Sequence, residues 1–218
     1  MKINSSRTRT AAAIACAFTI ALVATAADAK GPTTEVYIAY LHPMNAAPTH
    51  HETTGTARFV VHGDKLTITV NVEGAAPNII HWQHFHGLKS GAAAECASQA
   101  ADTNGDGFVD LIETGPASGT TMVPFDTKPA AMDVAHGTYP KADAHGNYKY
   151  REVVSLKALS AAFGKAFDGQ KLDLDKRVVL IHGVPANAKL PATVQSLGPI
   201  PAHVTLPIAC GKIERLSE

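Results

Sequence analysis

The chain has 218 residues, 45% of them hydrophobic and 17% charged, which is enough apolar side chain to bury a core and excludes a disordered or collagen-like polymer. Nineteen basic residues balance nineteen acidic ones, so neither a nucleic-acid backbone nor an anionic membrane surface is an expected partner. Eleven histidines beside a single tryptophan put metal ligation first among the chemistries to consider.

At the start of the chain, Lys2, Arg7 and Arg9 precede an apolar run over residues 11–24, and Ala27-Asp28-Ala29 gives the small-x-small pattern of a signal-peptidase site. Residues 1–29 are therefore expected to be a signal peptide and residues 30–218 a single domain sent to the periplasm or secreted. The run is too short to span a bilayer, and no later segment approaches about 18 consecutive apolar residues, so no membrane span is expected. Cleavage removes three of the 19 basic residues and Asp28 from the 19 acidic ones, leaving 16 against 18 and a mature charge near −2. Cys16 makes a poor lipidation site, because Ala13-Ile14-Ala15 precedes it and apolar residues continue after it. Without Cys16 the exported chain keeps Cys96 and Cys210, an even pair that reads as a disulfide. A bridge closing a loop of that size is worth about 4.7 kcal/mol in the chain-entropy view.

The mature chain reads as short strands. Residues 35–41 and 55–62 are the first two. After the turn His62-Gly63-Asp64-Lys65, the apolar residues Leu66, Ile68, Val70 and Val72 alternate with Thr67, Thr69, Asn71 and Glu73, a strand with one buried and one wet face. Residues 55–62 and this strand form a hairpin. Further strands are expected over 78–86, 120–125, 148–156, 177–182 and 203–209, separated by Gly/Pro-rich turns, which makes the fold all-β, a sandwich or a barrel. One short helix is expected over 155–167. The longest irregular stretch, 87–148, is where sites are expected.

That stretch contains Asp102-Thr-Asn104-Gly-Asp106-Gly107-Phe108-Val-Asp110-Leu-Ile-Glu113, which fills the twelve positions of an EF-hand calcium loop. Asp102, Asn104 and Asp106 supply side-chain oxygens at positions 1, 3 and 5, the Phe108 carbonyl serves position 7, Asp110 position 9, and Glu113 closes position 12. Gly115-Pro116 leaves no room for the exiting helix of a full EF-hand, so calcium is expected as a structural clip on loop 102–113 and not as a signal.

A second constellation is His81-Trp82-Gln83-His84-Phe85-His86-Gly87. Residues two apart in a strand share a face, so His84 and His86 converge on one ion while Phe85 faces the core. His81 has the opposite parity and joins them only through a bulge. His182, closing the apolar run Arg177-Val-Val-Leu-Ile181, is the best-placed third ligand by type. His42, His50, His51, His62 and His203 read as ordinary surface or loop residues.

The strand His84-Phe-His86-Gly87, Cys96 shortly after it, the late strand ending in His182, and the terminal Leu206-Pro-Ile-Ala-Cys210-Gly211-Lys-Ile213 resemble the copper–zinc superoxide dismutase family in the same order. The segment from Thr54-Gly-Thr-Ala57 through the histidine strand also resembles chordin-like (CHRD) domains of secreted bacterial proteins. The resemblance covers most of residues 35–213. It implies a Greek-key β-sandwich of immunoglobulin-like architecture, with a long loop carrying the calcium site, and a Cys96–Cys210 disulfide. It also implies copper ligation by His84, His86 and His182, with His136 as a further candidate. The departures weigh against dismutation. No bridging histidine is identifiable, and if His136 were the last zinc histidine, the family's zinc aspartate would fall on Tyr139. The family's catalytic arginine, three residues before the terminal cysteine, is Pro207 here. The expectation is an exported, non-enzymatic calcium-binding domain with copper as a candidate second metal, no catalytic residue and metal ions as its partners; the alternative is a copper-only superoxide dismutase. A blander reading makes the histidines polar surface for an unidentified protein partner.

Overall fold

The computed structural model describes residues 1–2 and 33–217. Apart from Met1 and Lys2, the expected signal peptide, Cys16 included, lies outside the described residues.

Among the described residues nine strands run in chain order: β1 (Thr34–Pro43), β2 (Thr54–His62), β3 (Lys65–Glu73), β4 (Trp82–Gly87), β5 (Thr120–Pro124), β6 (Tyr148–Ser155), β7 (Val178–His182), β8 (Pro207–Lys212) and β9 (Glu214–Arg215). Their pairing order is β5-β4-β7-β8-β1-β2-β3-β6, with β9 added to β1, and every pair is antiparallel. The sheet curls into two layers joined by β1, whose residues 34–41 pair with β2 while His42 and Pro43 pair with β8. The chain crosses from β3 to β4, back to β6 and over again to β7, which is Greek-key connectivity.

The hairpin is as the alternation predicts. Leu66, Ile68, Val70 and Val72 are buried, and Phe59 lies opposite Ile68. Phe59 of the first layer meets Phe85 of β4 at 5.1 Å between ring centroids, and Phe125 packs 4.8 Å from Phe85 and 5.8 Å from Phe59, so three aromatic rings close the space between the layers. The helix Leu156–Ala166 is capped by the Ser155 hydroxyl, which accepts from the Ala158 amide, and buries Leu159 and Phe163.

Two expected strands are shorter or displaced. The segment 78–81 does not extend β4: Asn78 takes a left-handed φ of 61°, and Ile80 makes only an isolated bridge to Lys141. Residues 203–205 are not strand either. They belong to one helical turn, Ala202–Thr205, after which Pro207 begins β8. The calcium-type loop is likewise followed by only one helical turn, Gly115–Ser118.

The central strands β4 and β7 are buried on both faces, β7 at every residue. Their inner face meets the hairpin layer. Their outer face is covered by loops, and Val178, Leu180 and Cys210 pack there against Ala94, Ala97 and Val109. A Cys96–Cys210 disulfide, with 5.8 Å between Cα atoms and a sequence separation of 114, ties this cover to β8. The loop pairing comes close at Gly119, where φ is 77° and a Cβ would lie 2.0 Å from the Gly87 carbonyl oxygen, so only glycine fits.

Asn45, buried and itself left-handed at φ 53°, joins the pieces. Its Nδ2 donates to the carbonyls of Val109 (3.0 Å) and Pro207 (2.9 Å), and its Oδ1 accepts from the Val109 amide (2.8 Å). Replacing it orphans three buried backbone groups, so Asn45→Ala is expected to lower stability by about 3 kcal/mol. Urea denaturation would show this as a lower midpoint at unchanged slope, and an unaltered midpoint would mean that the three groups find other partners.

Candidate metal centre

The pleat of β4 turns Phe85 inward and His84 and His86 outward, to the loop-covered face. In the β4–β7 register His182 stands opposite Trp82 and Leu180 opposite His84, so His182 is the diagonal neighbour of His84. The strands beside both are irregular. Between β4 and β5 the register shifts so that His84 faces Pro124 and His86 faces Thr121, and between β7 and β8 it shifts so that His182 faces Pro207. Such bulges re-aim side chains.

The three rings form a triangle, with centroids 5.1 Å apart for His84–His182, 5.4 Å for His86–His182 and 5.9 Å for His84–His86. One nitrogen from each lies within 4.8 Å of the other two, and all three residues are buried. Each ring uses its remaining nitrogen on the protein. His182 Nδ1 donates to the Thr205 carbonyl at 2.8 Å. Tyr139 Oη donates its proton to the Val134 carbonyl at 2.8 Å, so at 3.2 Å it accepts from His84 Nε2. His86 Nε2 lies 3.1 Å from the Thr121 hydroxyl, which is free to accept. These bonds fix the proton on the outer nitrogen of His182 and His84 and permit it there on His86. What remains is His84 Nδ1, His86 Nδ1 and His182 Nε2, buried and without a hydrogen-bond partner. A buried polar atom left unpaired is costly, and three such lone pairs converging are the arrangement that a metal ion repays. Neutral imidazoles suit copper and zinc.

His84 and His182 also line a cavity of about 260 Å³ with Trp82, Leu111, Val134 and Ile200. Trp82 stacks on Tyr139 at 5.3 Å and meets His84 edge-on at 6.0 Å.

Of the other sequence-derived candidates, His136 is not brought to this cluster. Its ring is exposed and bonds to Asp133 at 2.9 Å. His81 is also apart: buried, it stacks on Tyr148 and points its ring nitrogens at the carbonyls of Ala76 and His182. In loop 102–113 the carboxylates turn to backbone amides. Asp102 accepts from Gly105, Asp106 and Gly107, Asp110 from Ile112 and Glu113, and Glu113 from Thr103 and Asp110. Asp106 Oδ2 accepts from the Thr193 hydroxyl and Asp110 Oδ2 from the Gln195 amide, both at 2.6 Å, which ties the loop to the segment after β7. The residues that sequence reasoning passed over are Thr121 and Thr205, which hold the outer nitrogens of His86 and His182, and Tyr139, noted only as a departure from the dismutase pattern.

No protein-family model matches the chain, and no curated protein matches it. Among solved structures it is similar to a Cu/Zn superoxide dismutase from Brucella abortus, at 22% sequence identity and a TM-score of 0.41, over 83% of this chain and 100% of that one.

Burial holds all three rings neutral. It pushes His84 and His86 well below the ordinary histidine range, helped by the charge each would place beside His182 and opposed at His86 by the Gly119 carbonyl; it pushes His182 down to about 4. The unfolded chain therefore takes up protons first as pH falls. Stability of the metal-free protein should be full above pH ~6.5 and decline toward pH ~4, His182 alone contributing about 3 kcal/mol of the loss. Urea midpoints at pH 7.5 and 4.5 measure it, and equal midpoints would contradict the burial of neutral rings. Tyr139→Phe removes the acceptor that sets the His84 proton, so metal affinity by chelator competition should fall about tenfold with the fold retained.

Proposed function

We propose that this chain is an exported metal-binding protein whose centre is His84, His86 and His182, with copper as the ion. The observation that carries this reading is the set of three buried imidazoles, each with one nitrogen held by the protein and one unpartnered nitrogen turned to a common point. Bound copper would supply one-electron chemistry, while the chain's own residues fix the tautomers of His84 and His182, offer His86 Nε2 a hydroxyl partner, and keep bulk water from the three rings. Export is supported by the signal-like N-terminal sequence and by the disulfide, which belongs to an oxidising compartment.

The reading is of a binding protein and not a dismutase. Pro207 stands opposite His182 where the resemblance calls for a guiding arginine, and the residues lining the cavity at the histidines include no lysine or arginine. An anionic substrate then has neither a docking cation nor, at a mature charge near −2, a field to steer it. The copper-only dismutase alternative keeps the same three ligands and needs a cation from elsewhere. Calcium at Asp102, Asn104, Asp106, Phe108, Asp110 and Glu113 is supported by the twelve-position pattern and would act as a clip on the loop that covers the outer face.

Elemental analysis of the exported, gel-filtered protein tests this directly. About one copper per chain is expected, lost in His84→Ala/His86→Ala, while calcium is expected to persist in that variant and to vanish in Asp102→Ala/Glu113→Ala. Copper retained by the histidine variant, or absent from the parent protein, would refute the copper centre. Calcium absent from the parent would refute the clip.

A further inference from the structure

Resting on the copper reading, we infer that this centre is built to hold the singly charged cuprous ion in preference to the doubly charged cupric one. Three features of the chain lead there. First, all three converging donors are uncharged nitrogens, and among the described residues no carboxylate or thiolate joins them. A doubly charged ion would keep its whole charge in a buried site, where the Born cost rises with the square of the charge; a singly charged ion incurs far less.

Second, the chain offers little to an anion that could neutralise a cupric ion from outside. The cavity against His84 and His182 is walled mainly by Trp82, Leu111, Val134, Ala135, Leu197 and Ile200. Of its three threonines, Thr120 is half-buried, Thr121 accepts from His86 Nε2 and keeps its own proton, and the Thr205 hydroxyl is shared with Ser196 and the Ala202 carbonyl. A hydroxide or chloride at the open position would therefore find apolar walls and two neutral hydroxyls, Thr120 and Thr121, with no cationic donor in the lining to hold it. Lys89 lines the adjoining groove and not this cavity. Asp126 and Asp133 exert their charge on Tyr139 from outside the cavity lining.

Third, three converging imidazoles without a fourth protein ligand suit a closed-shell ion of low coordination number, whereas a cupric ion favours a tetragonal set of nitrogen and oxygen donors. The cavity then serves as a dry cap over a three-coordinate ion, or admits a small neutral ligand; an engineered cavity of about 150 Å³ already takes benzene.

The test measures two dissociation constants on the full exported protein: Cu(I), under anaerobic conditions, by competition with bathocuproine disulfonate, and Cu(II) by competition with nitrilotriacetate. Cu(I) is expected to bind about 100-fold more tightly, a difference of about 2.7 kcal/mol. Leu197→Glu places a carboxylate on the cavity wall at a half-exposed position that tolerates it, and should narrow the ratio by at least about tenfold while circular dichroism stays unchanged. Cu(II) binding as tightly as Cu(I), or a ratio unmoved in a folded Leu197→Glu protein, would overturn the inference and leave the copper centre standing. Failure of both ions to bind would overturn both.

Discussion

The alternation of one short strand governs the rest of this protein. In β4 successive side chains must point to opposite faces, so Phe85 can close the aromatic cluster with Phe59 and Phe125 only if His84 and His86 go to the other side. Two imidazoles on a sheet face that is itself buried need cover and partners. The long loops supply the cover, β7 supplies His182 at the diagonal position, and Thr121, Tyr139 and the Thr205 carbonyl take up the outward nitrogens. A one-residue slip of β4 would put Phe85 among the loops and the histidines into the core.

Much of this was legible in the amino-acid order because it follows from local periodicity. The β2–β3 hairpin, the inward Phe85, the shared face of His84 and His86, and the pairing of Cys96 with Cys210 all depend on parity or on counting. The failures share a different cause. Residues 78–81 carry strand-forming side chains, but the left-handed Asn78 and the bond from the His81 amide to the Pro140 carbonyl bend them away. Residues 203–205 look extended until the Leu206 amide bonds back to Ala202 and closes a turn. His136 fits by type and by analogy, but its ring pairs with Asp133 three residues earlier, a local contact that spacing alone does not rank. The partners of the outer nitrogens come from three separate segments. No pattern in the sequence marks Thr121, Tyr139 or Thr205, because what selects them is a tertiary hydrogen bond.

The calcium-type loop and the histidine centre are mechanically related without sharing a ligand. Asn45 binds Val109 on the loop and Pro207 on β8, and Pro207 lies opposite His182. Leu111, inside the same loop, lines the cavity at the rings, and Asp110 holds Gln195 two residues before the cavity-lining Leu197. The twelve-residue loop is thus a structural wall of the histidine site, and its order bears on the dryness of that site.

The disulfide has a consequence in time as well as in stability. It spans Cys96 to Cys210, so the linkage cannot close until β8 has emerged, and the turn carrying Thr205 lies just before that strand. The centre therefore matures late. A chain that stops short of this turn lacks the Thr205 carbonyl that holds His182 Nδ1, so the three-ring arrangement is incomplete until then.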